Sequence, residues 1–157
     1  MMRREPIRVY ADTSVYGGVF DDRFAQASGA LFEEVHAGRF RLVTSPLLRT
    51  ELRDAPEHVR ALFDDMAALA EEAPIDPEAR HLQQAYIDRG IVAPRRSADA
   101  LHVAVASVAG CSVLVSWNCR HIVHLAKIRL YNAVNALHGY DALAIHSPSE
   151  VITYGED

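Results

Sequence analysis

Three carboxylates stand where helix and strand signals place chain ends: Asp12 in VYADTSVYGG, Glu51 in SPLLRTELRD and Asp99 in RRSADALHVAVA. Asn118, which follows the apolar run VLVSW, is a fourth polar position of this kind. Carboxylates gathered in space repel, and their pKa values rise unless a cation neutralises them. Oxygen-only ligands select hard cations such as Mg²⁺ or Mn²⁺. Such ions acidify water and stabilise the charge that develops in phosphoryl transfer, so an acidic site needs one if it is to accept a phosphodiester. Each acid alone has an ordinary explanation. Asp99 would be the N2 residue of a helix capped by Ser97, where the dipole favours an anion, and Glu51 would lie on a solvated helix face. The coincidence of three separate segments, each ending at a plausible sheet edge, carries the argument.

Other reactive residue types lie near these acids in sequence. His102 is three residues after Asp99 and shares its helix face, as a partner of the acids or as a satisfied core histidine. Cys119, His121 and His124 form C-x-H-x-x-H, which fits no common zinc signature. His121 is better suited to contact phosphate beside the cleft, or to pack. Trp117 could stack on a base, although a lone tryptophan near a sheet edge is more often a core anchor. An aspartyl-phosphate enzyme using Asp12 as nucleophile would want a DxD loop, and Ser14 occupies the third position.

The elements that must position these groups follow from local signals. IRVYA (7–11) is a short buried strand, ended by DTS and then GG. Residues 25–37 fit a helix stopped by Gly38, and FRLVT (40–44) is a second strand. Ser45-Pro46 supplies N-cap and N1 of the helix LLRTELRD, and Pro56 begins another. Residues 78–89 make a helix closed by Gly90. Ser97 caps ADALHVAVASVA, which is apolar almost all round and therefore buried. SVLVS (112–116) is a strand, 121–138 is helical, ALAIHS (142–147) is a final strand, and SPSEVI starts a last turn. The order β-α-β-α-α-α-α-β-α-β predicts an α/β sandwich with a mostly parallel central sheet flanked by helices. Sites in such sheets form at the carboxyl ends of the strands.

The 157 residues predict a single domain, 1–157, and half of them are hydrophobic, enough for a core without staples. Two cysteines cannot form a disulfide scaffold, and MMRREP leads into an apolar run too short for a signal core or a membrane span. A reduced cytoplasmic protein is expected. The net charge of −5 excludes a generally basic nucleic-acid binder. Yet 15 of the 16 basic residues are arginine, and several flank the acids: Arg95 and Arg96 before Asp99, Arg49 and Arg53 around Glu51, and Arg120, Lys127 and Arg129 after Asn118. Arginines beside an acidic site suit a phosphate-bearing substrate.

In DTSVYGG, SPLLRTEL, SADALHVAVA and LVSWNCRHI, taken in order from residue 7 to about 150, the chain resembles PIN domains, specifically VapC-like toxin nucleases. The resemblance implies a PIN-domain sandwich and a Mg²⁺- or Mn²⁺-dependent endoribonuclease of a type II toxin–antitoxin pair. It also implies a homodimer and a small antitoxin whose tail blocks the acidic cleft. Asp12, Glu51 and Asp99 would be the metal-binding acids. Thr13 or Ser14 would hydrogen-bond a water or a substrate phosphate, Ser116 would orient the cluster, and Arg120 and His121 would face the substrate. One departure stands out: many members carry an Asp where this chain has Asn118, which brings no charge. One metal is therefore expected rather than two. The alternative is a PIN-fold protein-binding module with a weakened or inactive metal site.

Overall fold

The structure, a computed structural model, describes residues 5–152. The MMRR start that the sequence marks as too short for a signal lies outside the described residues. Five strands form one all-parallel sheet in the order β3-β2-β1-β4-β5: β1 (Ile7–Ala11), β2 (Phe40–Thr44), β3 (Glu71–Glu72), β4 (Val113–Val115) and β5 (Ala144–His146). β1 and β2 occupy the spans that the sequence predicts, because both carry β-branched and aromatic residues that become buried toward their carboxyl ends. β4 and β5 are shorter than their apolar runs, and among the described residues every strand pair is parallel.

The helices are α1 (Thr13–Gly18), α2 (Ala25–His36), α3 (Pro46–Glu51), α4 (Glu57–Ala67), α5 (Pro77–Asp88), α6 (Ser97–Val108), α7 (Leu125–Leu137) and α8 (Pro148–Val151). α5 packs on both α6 and α7, while α2 packs on β2 and α8. Every residue of α6 from Ala100 to Ser107 is buried, as its all-round apolar sequence predicts. Gly110, with φ +71°, allows the reversal from α6 into β4 that a β-carbon would strain. A single apolar cluster joins both sides of the sheet, with Val9, Leu42, Leu114 and Val115 fully buried on its strands. Each such side chain contributes about 1.5–3 kcal/mol by leaving water.

Ser45 and Pro46 take the N-cap and N1 positions of α3 as the sequence predicts, although the Ser45 hydroxyl makes no capping hydrogen bond and lies instead 2.8 Å from the Tyr10 hydroxyl. Two local expectations are corrected. Ser97 is not the cap of α6: a 3-10 turn at Pro94–Arg96 leads directly in, and Ser97 is the first helical residue. Asp99 is therefore third in the helix, not second. The last long helix begins at Leu125 rather than 121, because Asn118 holds the preceding residues in a turn. Its Oδ1 accepts the His121 backbone N–H at 3.0 Å, and its carbonyl accepts those of Ile122 and Val123.

The amino end of the sheet is tied ionically. Arg8 donates to both Glu71 oxygens, at 2.7 and 3.1 Å, and to the Ala109 carbonyl at 2.7 Å. The hydrogen bond from Arg8 holds the Glu71 carboxyl below the usual glutamate range, against the opposing effect of burial and with help from Arg41. A carboxyl whose folded pKa is depressed stabilises the fold above its unfolded pKa and loses that contribution as pH falls through the folded value. Glu71→Gln is therefore expected to flatten the acid limb of the stability curve. Urea unfolding compared at about pH 7 and about pH 3 should show this, with a difference below about 1 kcal/mol because the pair is partly exposed. An unchanged pH dependence would remove the pair from the account.

Candidate active site

The sheet reverses direction of growth at β1. The chain adds β2 and β3 on one side, then returns to add β4 and β5 on the other. Such a switch point opens a crevice beyond the carboxyl ends of the two adjoining strands. Asp12 directly follows β1, and Ser116 directly follows β4. The Ser116 hydroxyl donates to Asp12 Oδ2 at 2.6 Å. Asp12 Oδ1 accepts the backbone N–H of Ser14 at 3.1 Å and its hydroxyl at 2.6 Å.

Those two serines explain the SWN motif. The Ser14 hydroxyl, having donated to Asp12, accepts the Trp117 backbone N–H at 2.9 Å. The Ser116 hydroxyl accepts the Asn118 backbone N–H at the same distance. The turn after β4 is thus pinned to the acid after β1. Burial raises the Asp12 pKa, partly offset by the His102 charge and by the Ser116 and Ser14 hydrogen bonds. A carboxylate in this position has neutral donors around it and a cost of charge burial still to be met.

Glu51, the last residue of α3, is held from two sides. Thr13 donates its hydroxyl to Oε1 at 2.5 Å, and His102 Nε2 lies 2.6 Å from the same oxygen. Because a carboxylate only accepts, Nε2 carries the proton. His102 Nδ1 meets the Tyr10 hydroxyl at 2.8 Å, and that hydroxyl meets Ser45 at 2.8 Å. Ser45, Tyr10, His102 and Glu51 form a continuous relay across β2, β1, α6 and α3. Burial pushes the Glu51 carboxyl up, but the hydrogen bond and charge of His102, with Thr13, hold it below its ordinary value. Burial raises the pKa of Tyr10, the Ser45 hydrogen bond opposes this, and Asp12 and Glu51 raise it further.

Asp99 faces a different set of neighbours. Its charge raises the pKa of both His121 and Tyr131. Burial lowers the His121 pKa, and Lys127, Arg96 and Arg120 lower it further. The buried Nδ1 of His121 has no hydrogen-bond partner. Other basic residues are committed: Arg49 pairs with Glu72 at 3.2 Å, and Lys127 Nζ donates to the Ile91 carbonyl at 2.8 Å. Arg96 and Arg120 therefore join Asp99 in acting electrostatically on His121.

The structure brings Asp12, Ser14, Ser116 and the Asn118 backbone together, and joins Glu51 to Thr13 and His102. Among the described residues, no three His, Cys, Asp or Glu side chains are grouped closely enough to hold a metal ion. The donor chemistry of Asp12, Glu51 and Asp99 nonetheless fits Mg²⁺ or Mn²⁺, since all three offer only oxygen, and buried Asp12 has no Lys or Arg hydrogen-bonded to it among the described contacts. The Asn118 side-chain oxygen closes the 118–121 turn. Sequence reasoning marks Ser45 only as a helix cap and Tyr10 only as a strand residue. The available signal was a tyrosine inside a buried strand, whose hydroxyl must find a partner.

A five-stranded parallel sheet flanked by helices, with Asp12 at its switch point, defines a PIN-like α/β fold. No protein-family model matches the chain, and no curated protein matches it. Among solved structures, the chain is similar to one described as the crystal structure of VapBC2 from Rickettsia felis bound to a DNA fragment from their promoter. The TM-score is 0.57 with 11% sequence identity, over 90% of this chain and 98% of that one. Likeness at that identity concerns the fold.

Proposed function

We propose that the protein is a metal-dependent endoribonuclease, the toxin of a type II toxin–antitoxin pair acting in the cytoplasm. The observation that carries this reading is the Asp12–Ser116 contact, a buried acid fixed at the switch point of a PIN-like sheet. The likeness to a VapBC2 structure supports it. Asp12, Glu51 and Asp99 would hold Mg²⁺ or Mn²⁺, which would supply positive charge against the charge developing on phosphate and acidify a water for attack.

The chain's own residues have distinct tasks in this scheme. Ser14 and Ser116 fix both oxygens of Asp12, so that the acid is preorganised. Thr13 and His102 orient Glu51, with Tyr10 and Ser45 behind His102. Arg96, Arg120 and His121, near Asp99, would receive the RNA phosphates. Asn118 keeps the turn that carries Arg120 and His121. RNA is the substrate of this reading, a small antitoxin its inhibitor and a homodimer its assembly.

A second reading, a PIN-fold binding module, is favoured by the use of the Asn118 oxygen within its own turn and by the separate surroundings of Asp99. Calorimetric titration with Mn²⁺ and cleavage of RNA in Mg²⁺ or Mn²⁺ distinguish the two. The nuclease reading expects metal binding and metal-dependent cleavage, and expects Asp99→Asn to abolish cleavage with the fold intact. Undiminished cleavage by Asp99→Asn, or no binding at millimolar Mn²⁺, would sink it.

A further inference from the structure

The indole of Trp117 and the ring of Phe24 lie stacked, 4.2 Å between centroids and 20° apart in plane. The indole is locked by donation from Nε1 to the Ser28 hydroxyl at 2.9 Å. Its close approach to α1 requires glycine: a β-carbon on Gly18 would lie 2.8 Å from Nε1 and 2.6 Å from the Ser28 oxygen. Arg23, held by Asp21 at 2.9 Å, places its guanidinium 4.8 Å from the Phe24 centroid. The two aromatic rings are only partly buried. They line an open cavity of about 270 Å³ with Gln26, Ala27, Ser149 and Ile152.

This cavity adjoins the acid through two hydrogen bonds, from the Trp117 backbone N–H to Ser14 and from Ser14 to Asp12. A tryptophan serving only as a core anchor would be enclosed. Here it is braced by a hydrogen bond and a required glycine, yet left open on a cavity. The aromatic and aliphatic lining of Phe24, Trp117, Ala27 and Ile152 is joined by the polar residues Arg23, Gln26 and Ser149. The volume lies below the about 300–1,000 Å³ of whole small-molecule sites, which suits one base with its sugar and phosphate outside. Aromatic faces receive unstacked bases of single-stranded RNA in this way.

We propose that the Phe24–Trp117 cavity is a nucleobase subsite, which takes one unpaired base of RNA lying across the Asp12 pole. The proposal rests on the nuclease reading for the direction of the strand, but its test does not need cleavage. Trp117 is the only tryptophan of the chain, so fluorescence excited in the tryptophan band, beyond tyrosine absorption, reports on the subsite alone. The full chain would be titrated, with and without Mg²⁺, with cleavage-resistant phosphorothioate RNA pentamers and with abasic pentamers of the same backbone. Base-bearing pentamers are expected to quench the fluorescence and abasic ones to leave it nearly unchanged. Phe24→Leu should weaken binding of the base-bearing pentamers by about fivefold or more without changing affinity for the abasic ones, and Gln26→Ala should alter the ranking of the four bases.

Equal binding of base-bearing and abasic pentamers would overturn the subsite, as would wild-type affinity in both variants. Absence of any RNA binding would overturn it as well, and leave the cavity to an apolar side chain of a protein partner. Cleavage measured in parallel separates the two readings. Cleavage indifferent to bases removes the subsite and keeps the nuclease, whereas base-dependent quenching without metal-dependent cleavage does the reverse.

Discussion

Asp12→Asn should lower metal-dependent RNA cleavage by more than about a hundredfold, the scale of losing a directly acting group in hydrolysis. The reasoning starts from the backbone. Asp12 ends β1 at the one point where strand order reverses, and both of its oxygens are fixed by serine donors. Asparagine has nearly the same shape. Its amide oxygen can still accept from Ser14, and its NH₂ can donate to the Ser116 oxygen. The change therefore removes charge and leaves geometry in place. Burial already disfavours the charged form of Asp12, so the neutral variant should melt no lower than the wild type. Single-turnover cleavage in Mn²⁺, with thermal unfolding followed by circular dichroism, gives both readouts. Cleavage within about tenfold of wild type would remove Asp12 from the chemistry.

The largest effect on stability is expected far from that pole, at Asn135. This residue is fully buried on α7. Its Oδ1 accepts the Tyr86 hydroxyl through a short hydrogen bond, and its Nδ2 donates to the Ser107 hydroxyl at 2.9 Å. Ser107 donates onward to the Val103 carbonyl at 2.8 Å. One amide thus joins α5, α6 and α7. Asn135→Ala would open a cavity and strip the buried Tyr86 hydroxyl of its main partner, at about 2–4 kcal/mol in all. For a chain of this length, about 2–4 °C of melting temperature is lost per kcal/mol, so a fall of roughly 4–16 °C is expected. Calorimetry would measure it. A fall of less than about 2 °C would show that the network adds nothing beyond packing.

Much of this architecture can be read from the residues alone. β1 and β2 show their bounds because burial at the carboxyl end of a parallel strand needs continuous apolar runs, and IRVYA and FRLVT supply them. Two elements cannot be read in that way. β3 is only Glu71–Glu72, an edge held by pairing with β2 and by Arg8 and Arg41 rather than by apolar residues. α1 hides in DTSVYGG, where two glycines suggest a turn. It is stabilised by the Asp12 cap and by burial of Val15 and Tyr16, which are tertiary effects. At the site, the acids and SWN stand out by residue type and order. The His102 partner does not: its helix spacing points to Asp99, while the structure joins it to Glu51. Which carboxylate a buried histidine meets depends on how α3 and α6 pack across the sheet, and no local pattern encodes that.

The central position of β1 has a consequence for synthesis. The strand is made well before its neighbour β4, which follows about a hundred residues later, with Val9 opposite Val113. No hairpin can hold β1 in the meantime, and contacts so distant in sequence form slowly. Asp12 acquires its Ser116 donor, and Glu51 its His102 donor, only after those later residues have emerged from the ribosome. At about 5–20 residues per second, several seconds separate the making of Asp12 from its completion. A nascent chain stopped before residue 116 carries all three acids but lacks the Ser116 donor to Asp12 and the turn that it pins. Under the nuclease reading, the fold itself delays the enzyme until β4 and the turn after it have been made.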